Sequence, residues 1–162
     1  MIRTVKECDA KGIVEIYNDY ILNTTISFET EPLDEDQMRV RINEISSHCP
    51  YLVWEESGEI AGYCYAHPWK ERAAYHNTLE TTVYLSPKYF RKGIGSKLMR
   101  RLIADCRKKG FRVLIACITA NNDVSIKMHQ RLGFKKVSHF EQVGEKLGQL
   151  LDVVDMQLIL TP

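Results

Sequence analysis

The sequence lacks a strong excess of either charge and lacks any long apolar run. Its formal net charge is +1, which gives no reason to expect a nucleic-acid-binding surface or an acidic tail. Aromatic residues are not interleaved with basic ones as they are in proteins that bind single strands. No segment approaches transmembrane length, and the N-terminal residues contain no apolar signal region. We therefore expect a soluble protein whose partners include neither a membrane nor a nucleic acid.

Closely spaced cysteine pairs are also absent. The five cysteines are an odd number, and no two have the short spacing of a zinc or redox site. Cys64, Cys106 and Cys117 lie in apolar segments and are predicted to be small buried residues. The histidines other than His129 are scattered without metal-ligand spacing, so we expect no metal site. This cysteine usage favours a reducing, cytoplasmic compartment.

Internal repeats, low-complexity segments and linkers are missing as well, which predicts one domain over residues 1–162. Helical periodicity starts near Asp9, Asp34, Ser96 and Asn122. Strands are predicted at residues 2–5, 51–55, 60–66, 78–85 and 112–118, with two more in 134–160 around a turn at 144–148. This order predicts an α/β domain of strands with interspersed helices, without the strict alternation of a doubly wound fold.

The most informative segment runs from Leu85 to Ser96, where a strand end leads into a basic turn and then a helix. A helix N-terminus has backbone N–H groups without intrahelical partners and carries partial positive charge. Gly93 and Gly95 allow an anion to approach that backbone, and the neighbouring basic side chains add positive potential. The segment therefore predicts a phosphate-binding site. Its residues are Arg91, Lys92, Gly93, Ile94, Gly95 and Ser96.

Two common phosphate-binding motifs do not fit this segment. The dinucleotide pattern Gly-x-Gly-x-x-Gly would need a third glycine where this chain has Leu98. A Walker A loop would need a Gly-Lys-Ser/Thr sequence at a distance that is not found here. A short Gly-x-Gly after a strand does not by itself identify the ligand.

A second segment, residues 122–134, follows the apolar strand at 112–118 and ends in Gly133-Phe134. Together with residues 91–95 it resembles the GNAT superfamily of N-acetyltransferases. The resemblance extends to the phosphinothricin N-acetyltransferase-like branch and covers nearly the whole chain. The segments that carry it are Ile16-Tyr17-Asn18-Asp19, Phe28-Glu29-Thr30-Glu31-Pro32, Gly62-Tyr63, Pro68-Trp69, Glu80-Thr81-Thr82-Val83-Tyr84-Leu85, Met128-His129 and Val143-Gly144-Glu145-Lys146.

The resemblance implies a GNAT fold, which has a central, mixed, mostly antiparallel sheet of about seven strands flanked by about four helices. It implies that acetyl-CoA is the co-substrate, with its pyrophosphate at residues 91–96 and Asn122 at the pantetheine arm. Backbone N–H groups of Val83, Tyr84 and Leu85 would orient the thioester. One position departs from the family, because Phe90 stands where Gln or Arg is usual. The site acts mainly through backbone N–H groups, so we expect coenzyme binding to survive.

Glu80 and His129 are the candidate catalytic residues. An ammonium group must lose a proton before it can attack a thioester, so the reaction needs a base. By strand alternation Glu80 shares a face with Thr82 and Tyr84, and partial burial would raise its pKa. A solvated carboxylate is the alternative reading, and the resemblance favours the general base. For His129 the resemblance leaves three roles open, an acid, a second base or a coenzyme contact, beside that of a packed core histidine.

The acceptor site is predicted from the resemblance at a polar loop and two further positions. The carboxylate and other oxygens of an amino acid analogue need polar or cationic partners. The candidates are Phe28, Lys70, Glu71, Arg72 and Lys146. The resemblance also implies a homodimer, in which Lys146 could come from the other subunit. The alternative is that the Lys-Glu-Arg loop is merely solvated.

These observations predict acetyl transfer from acetyl-CoA to the primary amine of a small amino acid analogue, of the phosphinothricin or methionine sulfoximine/sulfone type. The amine would attack directly in a ternary complex, without a nucleophilic cysteine. One alternative is the same scaffold acting on a polyamine, an aminoglycoside or a protein N-terminus. Another is a non-catalytic, CoA-binding regulatory module.

Overall fold

The computed structural model describes residues 1–160, which contain seven β-strands and four α-helices. In chain order these are β1 (Ile2–Thr4), α1 (Ala10–Asn23), α2 (Glu35–Ser46), β2 (Tyr51–Glu56), β3 (Glu59–Pro68), β4 (Thr78–Leu85), α3 (Ile94–Lys108), β5 (Val113–Thr119), α4 (Asp123–Arg131), β6 (Lys135–Lys146) and β7 (Gln149–Ile159). The strands form one sheet in the order β1-β2-β3-β4-β5-β7-β6. Only the β4–β5 pair is parallel. The predicted mixed, mostly antiparallel sheet with four helices is confirmed.

Helices cover both faces of the sheet, because alternate strand residues point to opposite sides. On one face α3 packs its apolar stripe, which includes Leu98, Met99 and Leu102, against β2 to β5 and β7. On the other face α1 and α2 enclose a second cluster around Tyr63. The sheet therefore separates two apolar cores.

The starts of the first two helices use their predicted aspartates differently. Asp34 forms a capping box with Gln37, in which each side chain accepts the other's backbone N–H. Asp9 precedes α1, but its side chain makes no capping hydrogen bond to that helix. It accepts one hydrogen bond from the backbone N–H of Lys6 and two from the guanidinium group of Arg3. Burial raises the pKa of Asp9, yet the bonds from Arg3 and Lys6 outweigh it and hold the pKa below its usual range. Asp9 thus ties β1 to the start of α1.

Two element boundaries differ from the prediction. His67 and Pro68 belong to β3, where they pair with Glu80 and Leu79 of β4, although the predicted strand ended at residue 66. The turn predicted at 144–148 narrows to Leu147 and Gly148, both at positive φ, as a two-residue hairpin requires. Gly144 therefore lies within β6, opposite Leu151.

The parallel strands β4 and β5 separate halfway along their length. They pair at Thr78 with Val113, at Leu79 with Leu114 and at Glu80 with Ile115, and no pairing follows. Beyond Glu80, the edge of each strand that faces the other has backbone groups without a strand partner, and such groups are costly unless another partner satisfies them. The separation opens the middle of the sheet, and the candidate site lies there.

No helix in residues 1–160 has the length and apolar character needed to cross a membrane.

Candidate active site

A cavity of about 510 Å³ lies where β4 and β5 separate. Its walls come from β3, the second half of β4, the second half of β5, α4 and the segment that follows α1. It brings together six of the predicted site residues, which are Phe28, Glu80, Val83, Tyr84, Asn122 and His129. The remaining predicted positions lie outside this lining: Leu85, residues 70–72, residues 91–96 and Lys146.

Glu80 is held at the point of separation by its place in β4. Its side chain is 28% exposed, and its Oε1 lies 3.9 Å from Nε2 of His67 on the neighbouring strand. Burial raises the pKa of Glu80, and Asp155 adds to this effect. His67 and a hydrogen bond from Cys117 oppose it. A half-buried carboxylate with a raised pKa is a stronger base than an ordinary one, and it lines the cavity directly.

Cys117 corrects one expectation from the sequence, because it is exposed in the cavity wall, whereas Cys64 and Cys106 are buried. It is exposed because β4 no longer covers β5 at this level. Burial of the sulfur raises the pKa of Cys117, and Glu80 and Asp155 raise it further. Cys117 therefore remains a protonated thiol that donates to a carboxylate, and it is a poor nucleophile.

His129 is held by its own helix and by the residue that follows α4. It is 3% exposed, its Nδ1 lies 2.8 Å from the Ser125 carbonyl oxygen, and its ring meets Phe134 edge-on. Burial lowers the pKa of His129, which favours the neutral ring. A carbonyl can only accept, so the Nδ1–H donates to Ser125 and Nε2 is left as an acceptor.

The predicted phosphate site lies at the N-terminus of α3. Gly93 is the N-cap at φ 74°, and a Cβ built there would meet nothing within 4 Å. Gly95 is buried, and a Cβ added at this position would lie 3.3 Å from Sδ of Met128 on α4. Arg91 also has positive φ, and residues 91–93 are exposed. The N-cap of α3 thus has open space beside it, and the first N–H groups of the helix have no intrahelical partner, an arrangement that fits a phosphate group.

Asn122 forms the start of α4 beside the cavity. Its side-chain oxygen accepts the N–H of Ser125 at 3.3 Å, which caps the helix. The same residue lines the cavity between the ends of β5 and α4. The free backbone edges of β4 and β5, Asn122 and the α3 N-terminus offer one extended run of hydrogen-bonding groups, which suits the long polar arm and pyrophosphate of acetyl-CoA.

The predicted acceptor residues lie in three places: Phe28 in the cavity wall, residues 70–72 in an exposed loop, and Lys146 in the interior. Phe28 lines the cavity, 43% exposed, and its ring lies against Gly144, where an added Cβ would meet it at 2.4 Å. Lys70, Glu71 and Arg72 lie in an exposed loop outside the lining, and the Lys70 ammonium sits over the Trp69 ring.

Lys146 differs from the predicted position at the acceptor. It is 7% exposed, and its ammonium donates to the carbonyl oxygens of Ser27 and Tyr20 in its own chain. Burial lowers the pKa of Lys146, while Glu29 opposes the shift. Its bonds fasten the segment that forms one wall of the cavity, and Thr119 fastens the same segment by donating to the Thr25 carbonyl.

Sequence reasoning missed two further sets of polar residues in the lining. His67 faces Glu80 across the β3–β4 pair. The predicted strand ended at residue 66, so the sequence did not indicate this contact. Glu29 accepts two guanidinium bonds from Arg41 and one bond from the Tyr17 hydroxyl. These partners are far apart in sequence, so no local spacing could have indicated them. Within residues 1–160, no cluster of His, Cys, Asp and Glu is suited to a metal ion.

Comparison with known proteins gives consistent results. The Acetyltransferase (GNAT) family model matches residues 13–134. The chain is 36% identical to phosphinothricin N-acetyltransferase of Streptomyces viridochromogenes, over 94% of this chain and 83% of that protein. It is 35% identical to the L-methionine sulfoximine/L-methionine sulfone acetyltransferase of Salmonella typhimurium, over 98% of this chain and 94% of that protein.

A solved acetyltransferase from Salmonella typhimurium, in complex with its cofactor acetyl-CoA, superposes on the chain with a TM-score of 0.98. The two are 35% identical, and the match covers 100% of this chain and 94% of the other. The chain therefore belongs to the GNAT family, in its phosphinothricin N-acetyltransferase-like branch, and is an acetyl-CoA-dependent N-acetyltransferase.

Proposed function

We propose that the protein transfers the acetyl group of acetyl-CoA to the primary amine of a small amino acid analogue. The observation that carries the proposal is the position of Glu80. This half-buried carboxylate lies at the level where β4 and β5 separate, in the wall of the cavity. The class of acceptor rests on the relatives that acetylate phosphinothricin and methionine sulfoximine or sulfone.

Glu80 would act as the general base. With its carboxylate deprotonated, it accepts a proton from the acceptor's ammonium group, and the neutral amine then attacks the thioester carbon directly in a ternary complex. Cys117 supports this route over a covalent acetyl-cysteine, because its thiol stays protonated between two carboxylates. The Cys117 thiol lies on the same face of the sheet as Glu80, and its presence there opposes the rise in the pKa of Glu80.

The backbone of β4 around Val83, Tyr84 and Leu85 would hold the thioester oxygen. Its edge toward β5 has no strand partner, so N–H groups on that edge are free to stabilise the negative charge that develops on the oxygen. The N–H groups from Gly93 to Ser96, with Arg91 and Lys92, would bind the pyrophosphate. Asn122 would contact the pantetheine arm.

His129 would serve as an acceptor of hydrogen bonds rather than as an acid. Its lowered pKa and its Nδ1–H bond to the Ser125 carbonyl leave no proton on Nε2 to give to a departing thiolate. Of the three roles open at the level of sequence, a second base or a coenzyme contact therefore fits best. The thiolate would take its proton from water or from the reacting amine.

A second acceptor class has one observation in its favour. Among the described residues that line the cavity, Glu29 and Glu80 are acidic and none is a lysine or an arginine. Lys70 and Arg72, two of the cationic residues predicted at the acceptor site, lie in an exposed loop outside the lining. An acidic cavity suits a cationic amine without a carboxylate, such as a polyamine.

Free-thiol release with a panel of amines tests the proposal and separates the two acceptor classes. The panel contains phosphinothricin, methionine sulfoximine, methionine sulfone, spermidine and an N-terminal peptide, with reactions lacking amine as the control. We expect the three amino acid analogues to react fastest. Faster release with spermidine would favour the polyamine class. Equally low rates with all five amines would contradict the amino acid analogue as substrate.

We propose a homodimer formed through the β6–β7 hairpin. Six large apolar side chains of this hairpin are at least half exposed: Val137, Phe140, Val143, Leu147, Leu150 and Ile159. We expect sedimentation at micromolar concentration to give a dimer, and the variant Phe140→Glu to shift it toward monomer. Val124→Glu, at an exposed position on α4, is the control. A wild-type protein that sediments as a monomer would contradict the dimer.

The cytoplasmic location remains a prediction from the cysteine pattern, consistent with five free cysteines in the structure. The expectation that neither nucleic acid nor membrane is a partner likewise remains a prediction from composition.

A further inference from the structure

A row of ionisable side chains crosses four neighbouring strands on the cavity face of the sheet. The strand register pairs His67 of β3 with Glu80 of β4, and it pairs Cys117 of β5 with Asp155 of β7. Cys117 lies two residues beyond Ile115, the partner of Glu80, so it shares the face of Glu80. Glu80 therefore has a thiol donor on one side and an imidazole on the other.

The two neighbours of Glu80 differ in what they can do with a proton. The Cys117 thiol already holds its proton and gives it up with difficulty, because burial and the two carboxylates raise its pKa. His67 is oriented to accept one. Its Nδ1 lies 3.0 Å from the Pro68 carbonyl oxygen, which can only accept, so Nδ1 carries hydrogen in the neutral ring and Nε2, 3.9 Å from Oε1 of Glu80, holds the lone pair.

We propose that His67 accepts the proton that Glu80 takes from the acceptor amine. The ammonium gives one proton to the Glu80 carboxylate, and the resulting carboxylic acid gives it to Nε2 of His67. Glu80 returns to the carboxylate, and His67 becomes an imidazolium that later releases the proton to solvent. Rotation of the Glu80 side chain would close the Nε2–Oε1 distance of 3.9 Å to that of a direct hydrogen bond.

The chemistry of imidazole supports this direction of transfer. Imidazole is the side chain that exchanges protons most readily near neutral pH, so it is a better final acceptor than a carboxylate. The side chains of His67 and Glu80 are similarly exposed, at 33% and 28%, and His67 lies next to the surface loop that follows β3, which gives its proton a route to solvent. Other ionisable side chains on this face are Tyr63, Tyr65 and Tyr84, whose pKa values burial raises, together with Cys117 and Asp155.

The inference rests on Glu80 as the general base, and the variants His67→Gln and His67→Ala test it. We expect each to lower kcat about tenfold with the KM values for both substrates within about twofold, because the amine then transfers its proton to a weaker final base. Added imidazole should restore part of the kcat of His67→Ala, and the more basic methylimidazole should restore more. His76→Gln is the matched control, since its Nδ1 also lies near a backbone carbonyl, that of Ala73, outside the cavity lining.

A residue that only positioned Glu80 would not give a rescue that follows the basicity of the added base. An unchanged kcat, a change in KM alone, or a lowered kcat without this rescue would overturn the inference. Glu80→Gln, assayed in parallel, separates the two hypotheses. An inactive Glu80→Gln with a normal His67→Gln contradicts only the role of His67, whereas an active Glu80→Gln contradicts the general base itself.

Discussion

Replacing Glu80 with glutamine is expected to lower kcat by about a hundredfold to ten-thousandfold, the range that general-base groups contribute. The glutamine side chain has nearly the same shape as that of glutamate, and its amide oxygen can still accept a hydrogen bond. It cannot take a proton from an ammonium group. Binding of acetyl-CoA should remain close to that of the wild type, because the α3 N-terminus and the free edge of β4 are unchanged. Thiol release measures the first effect, and titration calorimetry measures the second.

The pH profile sharpens this prediction. Glu80 acts when it is deprotonated, and burial raises its pKa, so kcat/KM of the wild type should rise with pH through a range above that of an ordinary carboxyl group. Glu80→Gln should lose that rise. Glu44→Gln, on the exposed surface of α2, is the control and should behave as the wild type. A Glu80→Gln enzyme with substantial turnover and an unchanged profile would remove Glu80 as the base.

Replacing Gly93 with aspartate is expected to weaken acetyl-CoA binding about thirtyfold more than replacing it with asparagine. Both residues tolerate positive φ and are favoured as helix N-caps, and nothing within 4 Å of the position opposes a Cβ. They differ by one negative charge at the α3 N-terminus. Repulsion of a nearby phosphate by that charge amounts to about 2 kcal/mol, which is about thirtyfold in Kd.

The variants Gly93→Asp and Gly93→Asn serve as controls for each other, since their side chains have nearly the same shape and differ only in charge. Thermal unfolding should show similar stability for both variants. The difference in Kd should also shrink as salt is added, because the repulsion is screened. Equal Kd values for Gly93→Asp and Gly93→Asn would mean that the coenzyme phosphates bind elsewhere.

The sequence predicted the fold with few errors because its elements have strong local signals. The helical spacing after Ser96, the apolar run of β5 and the turns between strands each depend on residues that are close along the chain. The errors fall where a distant partner decides the outcome. His67 joins β3 because β4 lies beside it, although the predicted strand ended at residue 66.

The candidate site was predicted only in part, for the same reason. Residues in or next to a motif, such as Gly93 and Asn122, could be placed from spacing and resemblance. Cys117 was expected in the core, and its exposure follows from the separation of β4 and β5, which no local pattern records. Lys146 was expected at the acceptor, and its burial follows from how the β6–β7 hairpin meets the segment after α1.

The sequence by itself determined the family and the order of elements, and it predicted an anion site at the N-terminus of α3, because each depends on short spacings along one segment. The tertiary structure alone decided which groups surround Glu80. His67, Cys117 and Asp155 reach it from three other strands, and only strand register brings them to one face. The sequence specifies which side chains are present, whereas the pKa values and the proton paths of a site depend on distances between side chains that are set only when the chain folds.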